Sequence, residues 1–362
     1  MERFDRTSTA PVYVRPVTVL RIGVLGAARA TPDALLEPAR RLPDVEVTAV
    51  AARDPERARR FARRHRIPRV HPDYDTLLTD PLIDAVYVPL PNALHATWTL
   101  RALAAGKHVL CEKPLASNAE EAARVAHAAA ASGWVVMEGM HYRYHPLIQQ
   151  AVDIVRGGEL GRIRWAEAAN WLPVPRFDGV VYDPALGGGA LMVAGCYPAH
   201  ALRTVLGGEP TVVEATAVLR RPGVDRAMTA LLGWPDGATA RLRCATWAAG
   251  RPGVALRVVG ERGELRLPVH VMPQVYPRLV VRTPQGRRRV WVGGASSHRA
   301  QLAAFHAAVV AGAPVLTGPE DAVATMALID AIYRAAGLSP RPLSALLGDD
   351  LDEVPPRRRV GE

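Results

Sequence analysis

Over the first part of the chain, short runs of aliphatic and β-branched side chains alternate with stretches in which apolar positions recur every three or four residues. The first pattern predicts buried strands, and the second predicts helices with one apolar face. Alternation of this kind is typical of a parallel sheet with helices on both faces. The predicted strands are 19–25, 45–52, 85–88, 108–110 and 134–137, and the predicted helices are 33–42, 54–64, 95–105 and 117–131.

Capping residues indicate where several of these helices begin. We expect Asp54 to cap the second helix, with Pro55 in its first turn. The segment from Ser117 to Glu120 has the form of a capping box, and Pro38 should kink or shorten the first helix.

The pattern changes near residue 150, where single strands follow one another and are joined by turns that contain glycine or proline. This predicts a mostly antiparallel sheet in a second domain of the α+β type. The predicted strands are 162–168, 211–219, 227–232, 239–245, 254–259 and 264–267, and two helices follow at 297–311 and 319–336.

Length and composition fit a protein of two domains. The 362 residues are 49% hydrophobic, and we place the domains at 18–141 and 142–340, between flexible tails at 1–17 and 341–362. Residues 1–16 mix acidic residues, arginine and proline without the apolar region of a secretory signal. No uncharged apolar stretch reaches the roughly 18 residues of a membrane span, so no membrane partner is expected.

The formal charge of +10 resembles that of a nucleic-acid-binding protein, but its distribution does not. Only Lys107 and Lys113 of the 45 basic residues are lysines, and the arginines are spread along the whole chain. Dispersed charge builds no binding groove, so we expect no nucleic-acid partner and interpret Arg357 to Arg359 as a solvated tail. Three widely spaced cysteines exclude a disulfide framework and favour a reducing cytoplasm.

The first predicted strand runs into a turn that resembles part of a dinucleotide-binding fingerprint. In that fingerprint, glycines allow a tight turn and a close approach of the backbone to pyrophosphate. Gly23 and Gly26 are present, Ala28 occupies the place of the next glycine, and Thr31 occupies that of the last. The fingerprint is therefore incomplete. Its position at the first strand of a βαβ unit nevertheless supports the interpretation as a dinucleotide-binding turn.

The end of the second predicted strand favours NADP, with NAD as the alternative. NAD needs an acidic side chain at the ribose 2′-hydroxyl, whereas NADP needs a cation at the 2′-phosphate. Arg53 stands at this place, and Asp54 is explained as the helix cap. A surface arginine without this role is the other interpretation.

Cys111-Glu112-Lys113-Pro114 directly follows the strand predicted at 108–110. Together with the segments 89–95 and 137–146, it resembles the glucose–fructose oxidoreductase, inositol dehydrogenase and rhizopine catabolism (Gfo/Idh/MocA) family, nearest its NADP-dependent dihydrodiol and xylose dehydrogenases. The resemblance runs from about 21 to 336. It implies a Rossmann domain, a doubly wound parallel sheet, followed by an α+β domain with an open-faced sheet often used for dimerisation. We therefore expect a homodimer or a homotetramer.

The resemblance also implies roles for individual residues. Lys113 would reach the substrate hydroxyl, and Tyr197 would be the catalytic acid/base delivered by the glycine-containing segment before it. A nearby ammonium favours the phenolate form of a tyrosine, whose unperturbed pKa is about 10. An ion pair with Glu112, or a surface position like that expected for Lys107, is the alternative for Lys113. The residues matched to cofactor binding are Gly23, Gly26, Ala28, Asn92, His95, Glu112 and Lys113.

The chain departs from the family pattern where that pattern carries charge. Val193 replaces an aspartate one helical turn before Tyr197, and Val181 replaces an arginine before the glycines. His200, three residues after Tyr197, could serve as a proton relay or could simply pack or cap a helix. A polyol substrate therefore becomes less expected than a more apolar or differently charged one.

His141 and His145 stand four residues apart, a spacing that can hold a metal on a helix. No third ligand is evident and Pro146 follows, so we expect no metal and interpret these histidines as a lining of the substrate cleft.

The sequence thus predicts an NADP-dependent oxidoreductase that interconverts a hydroxyl and a carbonyl, or an imine and an amine, on a sugar-like or cyclic small molecule. Two alternatives remain. One is a lyase, epimerase or glycosidase that holds its dinucleotide tightly and shows no net redox turnover. The other is a non-catalytic binding protein, as Val193 and Val181 suggest.

Overall fold

The computed structural model describes residues 12–14, 19–174, 179–247, 255–346 and 357–359. Its first domain is built on a parallel six-stranded sheet in the order β3-β2-β1-β4-β5-β6. The predicted doubly wound fold is confirmed. The strands are β1 Leu20–Leu25, β2 Val45–Ala51, β3 Arg69–Val70, β4 Ala85–Val88, β5 His108–Cys111 and β6 Val136–Glu138.

Nine α-helices lie among the described residues: α1 Glu37–Ala39, α2 Pro55–His65, α3 Tyr74–Leu78, α4 His95–Ala104, α5 Ala119–Ser132, α6 Pro146–Arg156, α7 Cys196–Leu206, α8 Ser297–Ala311 and α9 Pro319–Ala335. In this described part, no helix is both long enough and apolar enough to pass through a bilayer.

Local chemistry explains where these helices begin and end. The Asp54 carboxylate accepts hydrogen bonds from the N–H groups of Glu56 and Arg57, which confirms it as the cap of α2. The predicted helix 33–42 is wrong in form, because a π-helical turn at Pro32–Leu36 leads into the very short α1, which contains Pro38.

The capping box was placed one residue too early. The side chain of Asn118, not that of Ser117, caps α5 by accepting from the N–H of Glu121 at 2.9 Å. The Glu121 carboxylate in turn accepts from the N–H of Ser117 at 2.8 Å, so the reciprocal pair involves Glu121 instead of Glu120.

The second domain carries an eight-stranded sheet in the order β14-β13-β12-β11-β7-β10-β9-β8. Its neighbouring strands are antiparallel except for the β7–β10 pair, so the predicted mostly antiparallel sheet is confirmed. The strands are β7 Ile163–Trp171, β8 Thr211–Arg221, β9 Val224–Gly233, β10 Thr239–Ala245, β11 Ala255–Gly260, β12 Glu264–Leu267, β13 Arg278–Thr283 and β14 Gly286–Trp291.

Helices α8 and α9 pack against the first domain. Leu302 and Phe305 of α8 share a buried cluster with Leu20 and Ile22 of β1. Helix α9 lies along α5. Folding therefore joins the two predicted domains through a common core.

The predicted tails are partly ordered: Arg341, the first residue of the predicted C-terminal tail, is almost fully buried, and two short segments of the tails pair with each other. Val12–Val14 and Arg357–Arg359 form a two-stranded parallel ladder, so Arg357 to Arg359 are not simply a solvated tail. The other residues of 1–17, and residues 347–356 and 360–362, lie outside the described part of the chain.

Candidate active site

The turn after β1 has the shape that a phosphate-binding turn requires. Gly26 has a φ of 114°, a left-handed conformation that favours glycine, and its N–H donates to Ala51 O at 2.7 Å. A Cβ at Gly26 would lie 3.1 Å from Leu90 Cδ2. Thr31 is completely buried at the start of the following helical turn, and its hydroxyl has no hydrogen-bond partner among the described residues. These groups fit a dinucleotide phosphate, which would lie against them.

Two arginines stand beside this turn, at the end of β2. Arg53 is exposed, and Arg57, one turn into α2, donates from Nη2 to the carbonyl oxygen of Ala27 at 2.7 Å. Sequence reasoning identified Arg53 and missed Arg57, although its i+4 spacing from Arg53 was visible. Both guanidinium groups suit a 2′-phosphate at the adenosine end of a dinucleotide.

Glu112 and Lys113 follow β5 and point in different directions. The Glu112 carboxylate accepts a hydrogen bond from Tyr87 Oη at 2.7 Å, and Lys113 Nζ donates to Val193 O at 2.9 Å. The peptide bond between Lys113 and Pro114 is cis. Lys113 is thus half-buried at the junction of the two domains.

Asn92 and His95 hold the neighbouring loop. Asn92 Nδ2 donates to Gly187 O at 2.9 Å, which joins this loop to the glycine-rich segment of the second domain. His95 is buried, and its ring nitrogens lie 2.7 Å from Pro114 O and 2.8 Å from Leu90 O. His95 therefore positions the backbone around Lys113.

Tyr197 lies near the start of α7, immediately after the π-helical turn Leu191–Gly195. Its ring faces the ammonium group of Lys113, which lies 4.9 Å from the ring centroid. The predicted meeting of these two groups is present in the structure. Burial, followed by the nearby Glu112 carboxylate, raises the phenol pKa well above 10. Burial therefore outweighs the expected influence of the Lys113 ammonium and favours the neutral phenol.

His200 does not contact the Tyr197 hydroxyl. Its Nδ1 bonds the hydroxyl of Tyr142, and its Nε2 lies 2.7 Å from Asp321 Oδ2. Arg203 also bonds Asp321, at 2.9 Å. Together these groups hold the pKa of Asp321 down at about 2. The arrangement fits the packing interpretation of His200 better than a relay on Tyr197.

His141, rather than His200, touches Tyr197. His141 Nε2 lies 3.2 Å from the Tyr197 hydroxyl, and Nδ1 lies 2.8 Å from Ser297 Oγ. His145 caps α6 by accepting from the N–H of Leu147, so the two histidines do not converge. No group of three or more His, Cys, Asp or Glu side chains that could hold a metal occurs in the described ranges.

Two further buried ionisable groups in the first domain were missed or misplaced. Lys107 is buried, and its Nζ donates to the carbonyl oxygens of Asp80 and Ile83, so the surface position expected for it is wrong. Glu138 is fully buried at the end of β6, and burial raises its pKa to about 8. Sequence patterns give no signal for a carboxyl group in this position.

The glycine-rich segment before Tyr197 is held by a buried ion pair. Arg341 donates to Asp225 Oδ1 at 2.9 Å and to Gly188 O at 2.7 Å, and Asp225 accepts from the N–H of Leu191 at 2.7 Å. A Cβ at Gly189 would lie 2.3 Å from Asp225 Oδ1, so only glycine fits there.

Two family models match this chain. One, described as an oxidoreductase family with an NAD-binding Rossmann fold, matches residues 20–140. The other, described as the GFO/IDH/MocA C-terminal domain, matches residues 148–266.

Curated relatives and a solved structure are similar over most of the chain. D-xylose 1-dehydrogenase (NADP(+)) 2 of Haloferax volcanii is 34% identical, over 88% of this chain and 97% of the relative. A dTDP-3,4-didehydro-2,6-dideoxy-α-D-glucose 3-reductase of Streptomyces violaceoruber is 37% identical, over 90% and 98%. KijD10, a 3-ketoreductase from Actinomadura kijaniata solved with NADP and TDP-benzene, aligns with a TM-score of 0.80 and 32% identity, over 88% and 98%. Variants of KijD10 with one tyrosine changed to phenylalanine, or one lysine changed to alanine, have also been solved.

Proposed function

Because this chain belongs to the Gfo/Idh/MocA oxidoreductase family, we propose that it interconverts a ketone and a secondary alcohol on a sugar ring, with NADP(H) as its redox cofactor. The chain is an NAD(P)-dependent oxidoreductase that acts by hydride transfer on a sugar-like or cyclic small molecule. We propose a nucleotide-linked keto-sugar as the substrate. The dTDP-sugar reductase and KijD10, whose complex contains TDP-benzene, support this choice.

One observation carries the assignment of the chemistry: the Lys113 ammonium lies against the Tyr197 ring where the two domains meet. The lysine and the tyrosine that were substituted in KijD10 are separated by the same number of residues as Lys113 and Tyr197. This equal spacing supports equivalent roles for the two pairs.

The states of the two side chains suit the reduction of a ketone. Nicotinamide, when bound, supplies or accepts the hydride. The Lys113 ammonium stabilises negative charge on the reacting oxygen. Tyr197, held as a neutral phenol by burial, gives its proton to that oxygen as the carbonyl becomes a hydroxyl. In alcohol oxidation the substrate hydroxyl gives its proton to the Tyr197 oxygen as the phenolic proton leaves it.

Cofactor binding uses the groups at the carboxyl ends of the strands. We propose that Gly26 and Ala28 shape the phosphate turn and that Arg53 and Arg57 bind the 2′-phosphate. Gly23 lies within β1, where a Cβ would be 2.7 Å from the side chain of Leu77, so its role is packing of the strand. Asn92 and His95 fix the loop beside the nicotinamide end through Gly187 and Pro114.

The structure gives less support to the alternatives. Lys113 bonds the backbone carbonyl of Val193, so the loss of an aspartate side chain at that position leaves this contact in place. A non-catalytic protein would not need that contact. Tight retention of the dinucleotide, with turnover in the absence of added NADP, would favour the lyase or epimerase alternative.

Fluorescence titration and a substrate panel test the proposal. We expect NADPH to bind more tightly than NADH. We also expect NADPH oxidation with a dTDP-linked 3-keto-sugar. NADP⁺ reduction with D-xylose and with trans-dihydrobenzenediol should be slower. Failure to bind either dinucleotide would contradict the assignment as an oxidoreductase. Preference for D-xylose would contradict the nucleotide-linked substrate alone.

We also propose that the chain is a cytoplasmic homodimer or homotetramer. Exposed apolar side chains on the two outermost strands of the second sheet, including Val213, Leu219 and Trp291, support self-association. All three cysteines are free and buried, which suits a reducing compartment. Light scattering that gives a monomeric mass at micromolar concentration would contradict the oligomer.

A further inference from the structure

The Tyr197 hydroxyl has a buried histidine as its neighbour. His141 stands in a short 3-10 turn after β6, and its Nε2 lies 3.2 Å from the phenolic oxygen. Both residues are at least nine-tenths buried, so bulk water does not compete for this hydrogen bond. The proton of the catalytic phenol therefore faces one imidazole nitrogen.

The hydrogen bonds around His141 define its tautomer. Ser297 Oγ donates its single proton to Gln274 Oε1 at 3.0 Å. Ser297 can therefore only accept from His141 Nδ1, which lies 2.8 Å away and must carry the ring proton. The lone pair of Nε2 is then left to accept the proton of Tyr197.

Tyr197 needs such an acceptor. Val193, one helical turn before Tyr197, offers the phenol no carboxylate, and burial disfavours an isolated phenolate. We propose that His141 exchanges the phenolic proton with Tyr197, so that these two side chains form a proton relay and Ser297 fixes the histidine tautomer. This proposal rests on the oxidoreductase activity proposed above and makes His141 a positioning and relay residue.

One proton moves in each turnover. In alcohol oxidation the substrate hydroxyl proton passes to the Tyr197 oxygen as the phenolic proton passes to His141 Nε2, and an imidazolium results. The imidazolium gives this proton from Nε2 to water that enters the cleft when the product leaves, while Nδ1 keeps the proton that it donates to Ser297. Ketone reduction reverses both transfers. Burial, followed by the charges of His298 and Lys113, lowers the pKa of His141 well below 6.5, which favours its return to the neutral form.

The surroundings of His141 are suited to this exchange. The titratable or charged groups that face it are Tyr197 of α7, His298 of α8 and Lys113 after β5. His298 stacks on it with ring centroids 3.8 Å apart and is only partly buried, so the relay lies close to solvent.

The first test needs neither cofactor nor substrate. We expect ¹⁵N NMR of the ligand-free full chain to show His141 as the neutral Nδ1–H tautomer at neutral pH, with the signal assigned from the His141→Gln variant. The Ser297→Ala variant should lose this single tautomer. An Nε2–H tautomer in the wild-type protein would overturn the relay, because Nε2 would then donate to the phenol.

The second test separates proton transfer from packing. Gln at position 141 can keep a hydrogen bond to Tyr197 but cannot take up its proton. We expect His141→Gln to lower kcat for alcohol oxidation about 100-fold with little change in KM, and to make kcat rise with pH where the wild-type profile is flat above neutrality. The control is His127→Gln, at an exposed position on α5, and should match wild type.

The outcomes distinguish the relay from the proposed function. An unchanged kcat and a flat pH profile in His141→Gln would overturn the relay while leaving the oxidoreductase intact. If no substrate in the panel is turned over, the proposed function fails and the NMR tautomer still decides the geometry of the relay.

Discussion

At the scale of single residues, the backbone of the second domain holds the ammonium group of Lys113 in place. Its ammonium donates to Val193 O and faces the Tyr197 ring, while Glu112 is engaged by Tyr87. A backbone carbonyl is present whatever the side chain at position 193. The ammonium group therefore keeps its position, although Val193 departs from the family pattern.

We expect Lys113→Ala to lower kcat by about 100- to 1,000-fold, because a preorganised charge at the reacting oxygen is lost. Stopped-flow measurement of NADPH oxidation, together with NADPH binding by fluorescence, checks this. The control Lys113→Arg retains the positive charge and should keep part of the activity. A kcat for Lys113→Ala equal to that of wild type would remove Lys113 from the mechanism.

The cofactor preference should depend on Arg53 and Arg57 together. Each guanidinium can give the 2′-phosphate a charge-assisted hydrogen bond worth about 1.5–3 kcal/mol. We expect Arg53→Ala and Arg57→Ala each to raise the Kd for NADPH about 10- to 100-fold and to leave NADH binding unchanged. Isothermal titration calorimetry measures both constants.

Arg63→Ala is the matched control, because Arg63 is exposed near the far end of the same helix. Equal losses of NADPH and NADH affinity in Arg57→Ala would show that Arg57 supports the phosphate turn through Ala27 instead of selecting the 2′-phosphate.

The sequence could locate Lys113, Tyr197 and Arg53, because each lies at a motif position next to a predicted strand or glycine segment. It could not pair His141 with Ser297, which is 156 residues away along the chain. Nor could it show that burial keeps Tyr197 neutral. Such properties depend on which elements pack together, and a one-dimensional pattern does not contain them.

At the scale of elements, the entry into α5 links the cap of a helix to the end of the chain. Asn118 caps the helix through Oδ1, and its Nδ2 donates to Arg341 O at 3.0 Å. One amide side chain therefore satisfies a helix N–H group and a distant carbonyl at the same time.

We expect Asn118→Ala to reduce the free energy of unfolding by about 1–2 kcal/mol, since the cap is lost. Glu120→Ala, at the exposed residue first assigned to the capping box, should change it by less than about 0.5 kcal/mol. Urea denaturation followed by circular dichroism compares the two. A larger loss in Glu120→Ala than in Asn118→Ala would instead support the capping box that begins at Ser117.

Strands with a clear apolar pattern were predicted closely, as at β4, β10 and β12. Strands β13 and β14 were not predicted, and β14 carries three consecutive arginines with no alternation of apolar and polar side chains. Helix α7 follows a π-helical turn in a glycine-rich segment and contains Pro198, so its sequence resembles a loop. These elements form through pairing and burial that local propensity does not reveal.

At the scale of the whole molecule, Arg341 ties the end of the second domain to the segment that carries Tyr197. It is almost fully buried and contacts Asp225, Tyr333 and the carbonyl oxygens of Gly188 and Gly223. Because Asp225 also accepts from the N–H of Leu191, one ion pair fixes the sheet, the glycine turn and the start of the active-site helix.

Removal of Arg341 should therefore destabilise the whole protein. We expect Arg341→Met to lower the free energy of unfolding by about 3–5 kcal/mol, because the buried Asp225 carboxylate loses its counter-charge. The exposed Arg334→Met is the control and should cost less than about 0.5 kcal/mol. In Arg341→Met/Asp225→Asn the uncompensated charge is gone, so part of the lost stability should return.

The loss of stability in Arg341→Met should depend on pH in a defined direction. Burial raises the pKa of Asp225 above its usual 3.8 even with Arg341 beside it, and without the arginine the rise should be larger. A carboxyl group with a raised pKa binds its proton more tightly in the folded protein, so stability falls as the pH rises through the interval between the unfolded and folded pKa values. The free energy of unfolding of Arg341→Met should consequently lie furthest below that of wild type near neutral pH. The difference should shrink as the pH falls toward 3.8. Urea unfolding across this range measures the difference, and a deficit that stays constant with pH would show that Arg341 acts through packing alone.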